Sequence, residues 1–129
     1  MQVIFINACV IDGISPTVRK NTSVIVEGAT ISWVGPIEQT DLADKSQSKV
    51  IDLAGKTLMP GLMDVHVHIC QGTTPNPIAE YTETVPFQAI QGVTNANAFL
   101  DAGFTTVRSL GAFGYPDIAV KEAINQGLV

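Results

Sequence analysis

The chain has two histidines, and they lie two residues apart at His66 and His68. The apolar run around them, residues 59–69, is typical of a buried strand, where side chains alternate between the two faces. Asp64 and both histidines then share one face. Residues i and i+2 of a strand have Cα atoms about 6.6 Å apart, so their imidazoles can reach one ion at the ~2.0–2.1 Å of a Zn–N bond. The pattern predicts a metal site held by His66 and His68.

Each of these side chains also has a role without metal. The histidines could be ordinary core or surface residues, but both of them falling on one face of one strand favours ligation, to zinc or to iron, nickel or cobalt. Asp64 could accept a hydrogen bond from an imidazole and orient it. It could equally be satisfied by nearby backbone amides, and the sequence leaves the two alternatives open.

The first 58 residues read as short strands and turns. A β-rich run covers residues 3–11, and the runs at 23–27 and 30–34 flank Gly28-Ala29, which predicts a hairpin. A second hairpin is predicted between residues 49–53 and 56–58, with its turn at Ala54-Gly55. Short strands at this spacing are typical of a small β-sandwich.

Residues 59–129 alternate strand and helix. After a loop at 70–85, Pro86 marks a helix start and Gly103 its end, with the helical period Phe87, Ile90, Val93, Asn97 and Leu100 between them. A strand follows at 104–110, and a second helix runs from about Pro116 to Gly127. This order predicts βα units with a parallel sheet. A complete (β/α)₈ barrel takes ~250 residues, so we expect a fragment, a split subunit or a truncated reading frame.

Composition limits the partners and the compartment. The net charge is −5 without a Lys/Arg run, which argues against nucleic acid and anionic membranes. The two cysteines, Cys9 and Cys70, are too few for a secreted disulfide scaffold, so we expect reduced thiols. The sequence shows neither a signal peptide nor an apolar run of membrane-spanning length. We therefore expect a cytoplasmic protein.

Four segments together resemble the amidohydrolase superfamily. PGLMDVHVH at 60–68 resembles its first barrel strand, and AGFTTVRSLG at 102–111 resembles the second strand of the branch with imidazolonepropionase-like enzymes and Xaa-Pro dipeptidases. NACVIDG at 7–13 and VIVEGATISWVG at 24–35 resemble the β-sandwich that precedes the barrel. The resemblance covers nearly the whole chain.

The resemblance implies an α/β fold, with β-sandwich segment 1–58 followed at 59–129 by the first two βα units of an incomplete (β/α)₈ barrel. It implies one or two divalent metals, usually zinc, with His66 and His68 on the more buried ion. The complete enzyme would hydrolyse an amide-type C–N bond of a dipeptide or cyclic amide by metal-activated hydroxide. In the family a lysine, two further histidines and an aspartate come from later strands, so we expect the chain alone to be inactive.

Several further residues are candidates for substrate contact. Many relatives carry Asp where this chain has Ser109, which makes the substrate subclass less secure. Arg108 could bind a substrate carboxylate, although a structural ion pair on the barrel rim is the preferred interpretation. Cys70 would be a third ligand only if the strand continued, and a rim thiol is preferred. Glu80 and Tyr81 could touch substrate, but a solvated loop is the simpler interpretation.

Two other functions remain to be weighed against a hydrolase. A non-catalytic relative could keep the barrel as a scaffold or assembly protein, but it would have no need to retain both histidines. A small metal-binding β-barrel of the cupin type also uses His-x-His. Such a barrel expects a glutamate a few residues later, whereas the nearest is Glu80, and the following βα pattern does not fit an all-β fold.

Two βα units leave sheet edges and apolar faces uncovered, so the isolated chain is expected to associate with the remaining barrel segment or with itself. Size-exclusion chromatography with light scattering measures this directly. A stable monomer across the accessible concentration range would contradict the expectation.

Overall fold

The computed structural model describes residues 2–39, 48–72 and 78–129, with mixed α and β elements. They form two compact units, Met1–Pro60 and Gly61–Val129. Within the described residues, neither long helix has the length and apolar character needed to cross a bilayer.

The first unit is built on one mixed sheet. Its strands are β1 (Gln2–Val10), β2 (Arg19–Glu27), β3 (Thr30–Gly35), β4 (Ser48–Asp52) and β5 (Thr57–Leu58). The order is β3-β2-β1-β4, and β5 also pairs with β1. The predicted hairpin at Gly28 is confirmed, because β2 and β3 pair antiparallel with Glu27 opposite Thr30.

The predicted second hairpin is wrong. β4 and β5 do not pair with each other, and both run parallel to β1. The turn at Ala54-Gly55 exists, with both residues at positive φ, but it carries the chain past an irregularity in β1 instead of reversing it. Asn7, also at positive φ, donates from Nδ2 to Asp52 Oδ1 at 2.9 Å and accepts from Gly55 N at 2.7 Å.

Apolar side chains form a core in this unit. Ala8, Val10 and Val24 are buried, and the partly buried side chains around them are Phe5, Val26, Val34, Leu53 and Leu58. The described residues of the unit lie in one sheet, so its membership of a sandwich stays a prediction. Most of the polar stretch at 38–48 falls at 40–47, outside the described residues.

The second unit follows the predicted strand–helix–strand–helix order. Its elements are β6 (Leu62–Val67), α1 (Ala79–Thr82), α2 (Val85–Asp101), β7 (Phe104–Ser109) and α3 (Pro116–Asn125). β6 and β7 pair in parallel. The short α1 lies within the predicted loop, whose residues 73–77 are outside the described ones.

The side of α2 that packs against the core differs in part from the side marked by the predicted helical period. Phe87, Ile90 and Leu100 are exposed. Of the predicted period, Val93 packs against the core of the unit, together with Ala89, Ala96 and Phe99 from other positions of the helix. The period located the helix correctly, but small residues and a glycine decide which side approaches the core most closely.

Gly92 is the point of closest approach. A Cβ placed there would lie 2.7 Å from Cys70 Sγ and 2.8 Å from Val120 Cγ2, nearer than non-bonded carbon atoms allow. α2 therefore rests against the residues that follow β6 and against α3 only because position 92 has no side chain.

Gly92→Ala is expected to lower the free energy of unfolding by about 1–2 kcal/mol, because overpacking outweighs the gain in helix propensity. Urea unfolding followed by circular dichroism at 222 nm, which reports the helices, measures it. The exposed Asn97→Ala on the same helix is the control and should stay within about 0.5 kcal/mol of the wild type. Equal stability of Gly92→Ala and wild type would contradict the close contact.

Candidate metal centre

Packing on one face of β6 determines where the two histidines project. Val67 and Ile69 are buried in a cluster with Cys70 and Val120. Since side chains alternate along an extended segment, His66 and His68 lie on the opposite side, and both are exposed. Met63 and Val65, which the alternation also assigns to the packed face, are exposed, because the cluster covers only the carboxyl end of β6 and the residues after it.

The two imidazoles are close enough to share an ion. Their ring centroids lie 5.9 Å apart, with the planes inclined at 65°. Two imidazoles bound to one tetrahedral zinc at ~2.0–2.1 Å have centroids about 5 Å apart. Rotation of the two exposed side chains would have to bring the centroids slightly closer. The donor set therefore fits a divalent metal of the zinc type.

A backbone carbonyl contacts one of these rings. The Nδ1 atom of His68 lies 3.1 Å from the carbonyl oxygen of Gly111, in the segment after β7. A carbonyl oxygen only accepts hydrogen bonds, so this contact is a hydrogen bond when the ring carries a proton on Nδ1, since donor and acceptor roles at an imidazole depend on its tautomer. The sequence analysis did not predict this role for Gly111. The one indication in the sequence is that a glycine follows the predicted strand.

Asp64 contacts backbone. Its Oδ1 atom accepts a hydrogen bond from the amide of His66 at 3.0 Å. This is the second of the two alternatives that the sequence left open, and a contact from Asp64 to an imidazole stays a prediction. The carboxylate fixes the strand backbone directly beneath the first histidine.

Arg108 also contacts backbone. Its Nε atom donates to the carbonyl of Val65 at 2.8 Å, which joins the side chain of β7 to the main chain of β6. The guanidinium is exposed. Its predicted roles, binding a substrate carboxylate or forming a rim ion pair, both stay predictions.

Cys70 lies in the core, which corrects both interpretations of it as a third ligand and as a rim thiol. β6 ends at Val67, exposed and buried side chains alternate only as far as Ile69, and the Cys70 side chain is 2% exposed within the apolar cluster. Burial, and secondarily the charge of Asp117, raises the pKa of the thiol to about 11. The Cys70 thiol therefore acts as a packing group in the apolar cluster.

Other side chains define the surroundings of the histidines. Asn95 on α2 donates from Nδ2 to the carbonyls of Ile69 at 2.7 Å and Gln71 at 2.9 Å, which fixes the segment after β6. Tyr81 is exposed, and its ring lies 6.2 Å from that of Phe113. The side chain of Glu80 is outside the described part of the structure.

His66 and His68 are the two predicted metal ligands that the described residues bring together. Among residues 2–39, 48–72 and 78–129, no group of three or more His, Cys, Asp or Glu side chains is placed to hold an ion. A catalytic zinc usually has three protein ligands. The chain therefore presents a pair of neighbouring imidazoles on a βα scaffold.

Comparisons with known proteins place this scaffold in a family. The model of the amidohydrolase family matches residues 57–129. An imidazolonepropionase of Pseudomonas savastanoi pv. phaseolicola is 34% identical over 98 residues, which cover 74% of this chain and 22% of that protein. An enamidase of Eubacterium barkeri is 31% identical over 102 residues, covering 79% of this chain and 22% of that protein. The chain belongs to the amidohydrolase family.

Solved structures of amidohydrolases are also similar to this chain. A crystal structure of a Xaa-Pro dipeptidase with methionine bound in its active site superposes with a TM-score of 0.82 at 31% identity, covering all of this chain and 31% of that one. A crystal structure of an amidohydrolase gives a TM-score of 0.80 at 32% identity, covering all of this chain and 29% of that one. The chain spans about a fifth of the curated relatives above, at 22%.

The burial of Cys70 predicts low thiol reactivity. In a Cys9→Ser variant at pH 8, where Cys70 is the remaining thiol, reaction with an aromatic disulfide reagent should be at least ~100-fold slower in the folded chain than in urea. A pKa of about 11 instead of 9.0 reduces the thiolate by that factor, and burial adds to it. Similar rates in both conditions would contradict the buried position.

Proposed function

We propose that this chain provides the first metal-binding strand of a metal-dependent hydrolase acting on amide-type C–N bonds. The pair of imidazoles at His66 and His68, 5.9 Å apart on the unpacked side of β6, carries the proposal. Imidazolonepropionase, enamidase and Xaa-Pro dipeptidase relatives support a small substrate with such a bond, either a cyclic amide or a dipeptide.

His66 and His68 would hold the metal, with zinc as the preferred ion. A bound divalent ion supplies the activation of water and the polarisation of a carbonyl. The chain's own contribution is geometric. β6 and the residue after it set the spacing of the imidazoles, Asp64 holds the strand backbone below them, and the cluster around Val67 packs the opposite face at the carboxyl end of the strand.

We further propose that unit Gly61–Val129 corresponds to the first two βα units of a (β/α)₈ barrel and that the five-stranded sheet belongs to a β-sandwich. The parallel β6–β7 pair with following helices supports the first part. Active sites of such barrels lie at the carboxyl ends of the strands. His68, directly after β6, and Gly111, shortly after β7, lie at those ends.

With two protein ligands, the chain itself should bind metal weakly and should not catalyse. The rest of the site, including further ligands and a proton-transferring carboxylate, would come from additional polypeptide. Association with such a segment or with a second copy stays a prediction, as does substrate contact by Arg108 and Tyr81.

Zinc titration tests the proposed ligands. The expected result for the wild-type chain is one zinc or cobalt bound per chain, with affinity falling at least tenfold in His66→Ala and in His68→Ala, because each substitution removes one of two ligands. Isothermal titration calorimetry measures the affinity, and the visible absorption of Co²⁺ reports imidazole ligation.

The exposed Asn97→Ala is the matched control, and it should bind as the wild type does. Wild-type affinity in both histidine variants would exclude the site. The same preparations, zinc-loaded and incubated with a Xaa-Pro dipeptide, should release no more proline than His66→Ala does. Zinc-dependent turnover that vanishes in His66→Ala would show a complete site and contradict the proposed division of ligands.

A further inference from the structure

We propose that the backbone carbonyl of Gly111 is a positioning group for His68, which it holds in the Nδ1–H tautomer with Nε2 presented to the metal. The inference rests on the proposed metal site and adds a residue to it. Gly111 contributes no side chain, and its effect on a bound ion would pass entirely through the imidazole.

The contact itself allows one polarity. Gly111 O lies 3.1 Å from His68 Nδ1, and only the nitrogen can donate. Neutral imidazole protonated on Nδ1 carries its lone pair on Nε2. The hydrogen bond therefore selects which nitrogen can ligate and also restricts rotation of an otherwise exposed ring.

The conformation of Gly111 suits it to this role. Its φ is +105°, a region that residues with a Cβ rarely adopt, while no heavy atom lies within 4 Å of a Cβ built there. Steric crowding is therefore not the reason for a glycine here. The requirement is the backbone conformation, which directs the carbonyl toward β6.

The neighbouring main chain fixes the distance between the two strand ends. The amide of Leu110 donates to the carbonyl of Val67 at 2.9 Å. One residue further along each strand comes the contact between Gly111 and His68. Two consecutive hydrogen bonds thus join the carboxyl ends of β7 and β6, the second of them through the imidazole.

Gly111→Ala tests the inference, and Gly103→Ala is the matched control. Gly103 lies at the other end of β7, has φ +90° and also has no heavy atom within 4 Å of a built Cβ. Its carbonyl likewise accepts from β6, at Leu62 N, 2.9 Å away. The two substitutions impose the same kind of backbone strain, but only one of them disturbs the contact to His68.

The first readout is the tautomer of each histidine, from long-range ¹H–¹⁵N correlation spectra of the metal-free chain at pH 8, where free imidazole is neutral. Spectra of His66→Ala assign the two rings. We expect His68 to be the Nδ1–H tautomer in the wild type and in Gly103→Ala, and to shift toward Nε2–H in Gly111→Ala. A wild-type His68 protonated on Nε2 overturns the inference without any variant.

The second readout is zinc affinity, expected to fall about tenfold or more in Gly111→Ala and less than about threefold in Gly103→Ala, since outer contacts of ligating histidines have effects of this size. Equal losses in both variants would indicate general weakening of β7 and overturn the inference. If His66→Ala and His68→Ala leave zinc affinity unchanged, the metal site fails, while the tautomer still decides whether Gly111 controls the ring.

Discussion

The position of the candidate site depends on the burial of one face of a short strand. Val67 and Ile69 are held in an apolar cluster with Cys70 and Val120. When one set of alternate side chains in an extended segment is buried, the other set must project from the opposite face. The two imidazoles are therefore placed by residues that never touch them. A slip of β6 by one residue would move both histidines into the core and the valine into solvent.

The sequence was sufficient for features that depend on local pattern. The strand around His66, the helix starts at Pro86 and Pro116, and the hairpin at Gly28 all follow from short-range rules, and the structure has them, although Met63 and Val65 on the predicted packed face of that strand are exposed. The parallel pairing of β4 and β5 with β1 was missed because both strands find their partner about fifty residues earlier. A turn sequence such as Ala54-Gly55 predicts that the chain bends, but it does not predict which strands the flanking residues pair with.

Three features of the structure were beyond sequence reasoning for a physical reason. The partner of His68 is a main-chain oxygen 43 residues away, and a carbonyl has no sequence signature. On α2, the large apolar residues Phe87, Ile90 and Leu100 suggested the packed side, but they are exposed. The helix instead approaches the core most closely at Gly92. Cys70 was placed on the wrong face because the alternation was extended beyond Ile69, where the chain has already left the strand and turns.

Asn95 connects the long helix α2 to the segment that follows β6. A single amide nitrogen caps the carbonyls of Ile69 and Gln71, so the chain leaves β6 along a path fixed by a long helix. The position of the main chain at Gln71 is therefore fixed by a hydrogen bond from α2. The segment that carries the imidazoles is thus held by a helix as well as by the neighbouring strand.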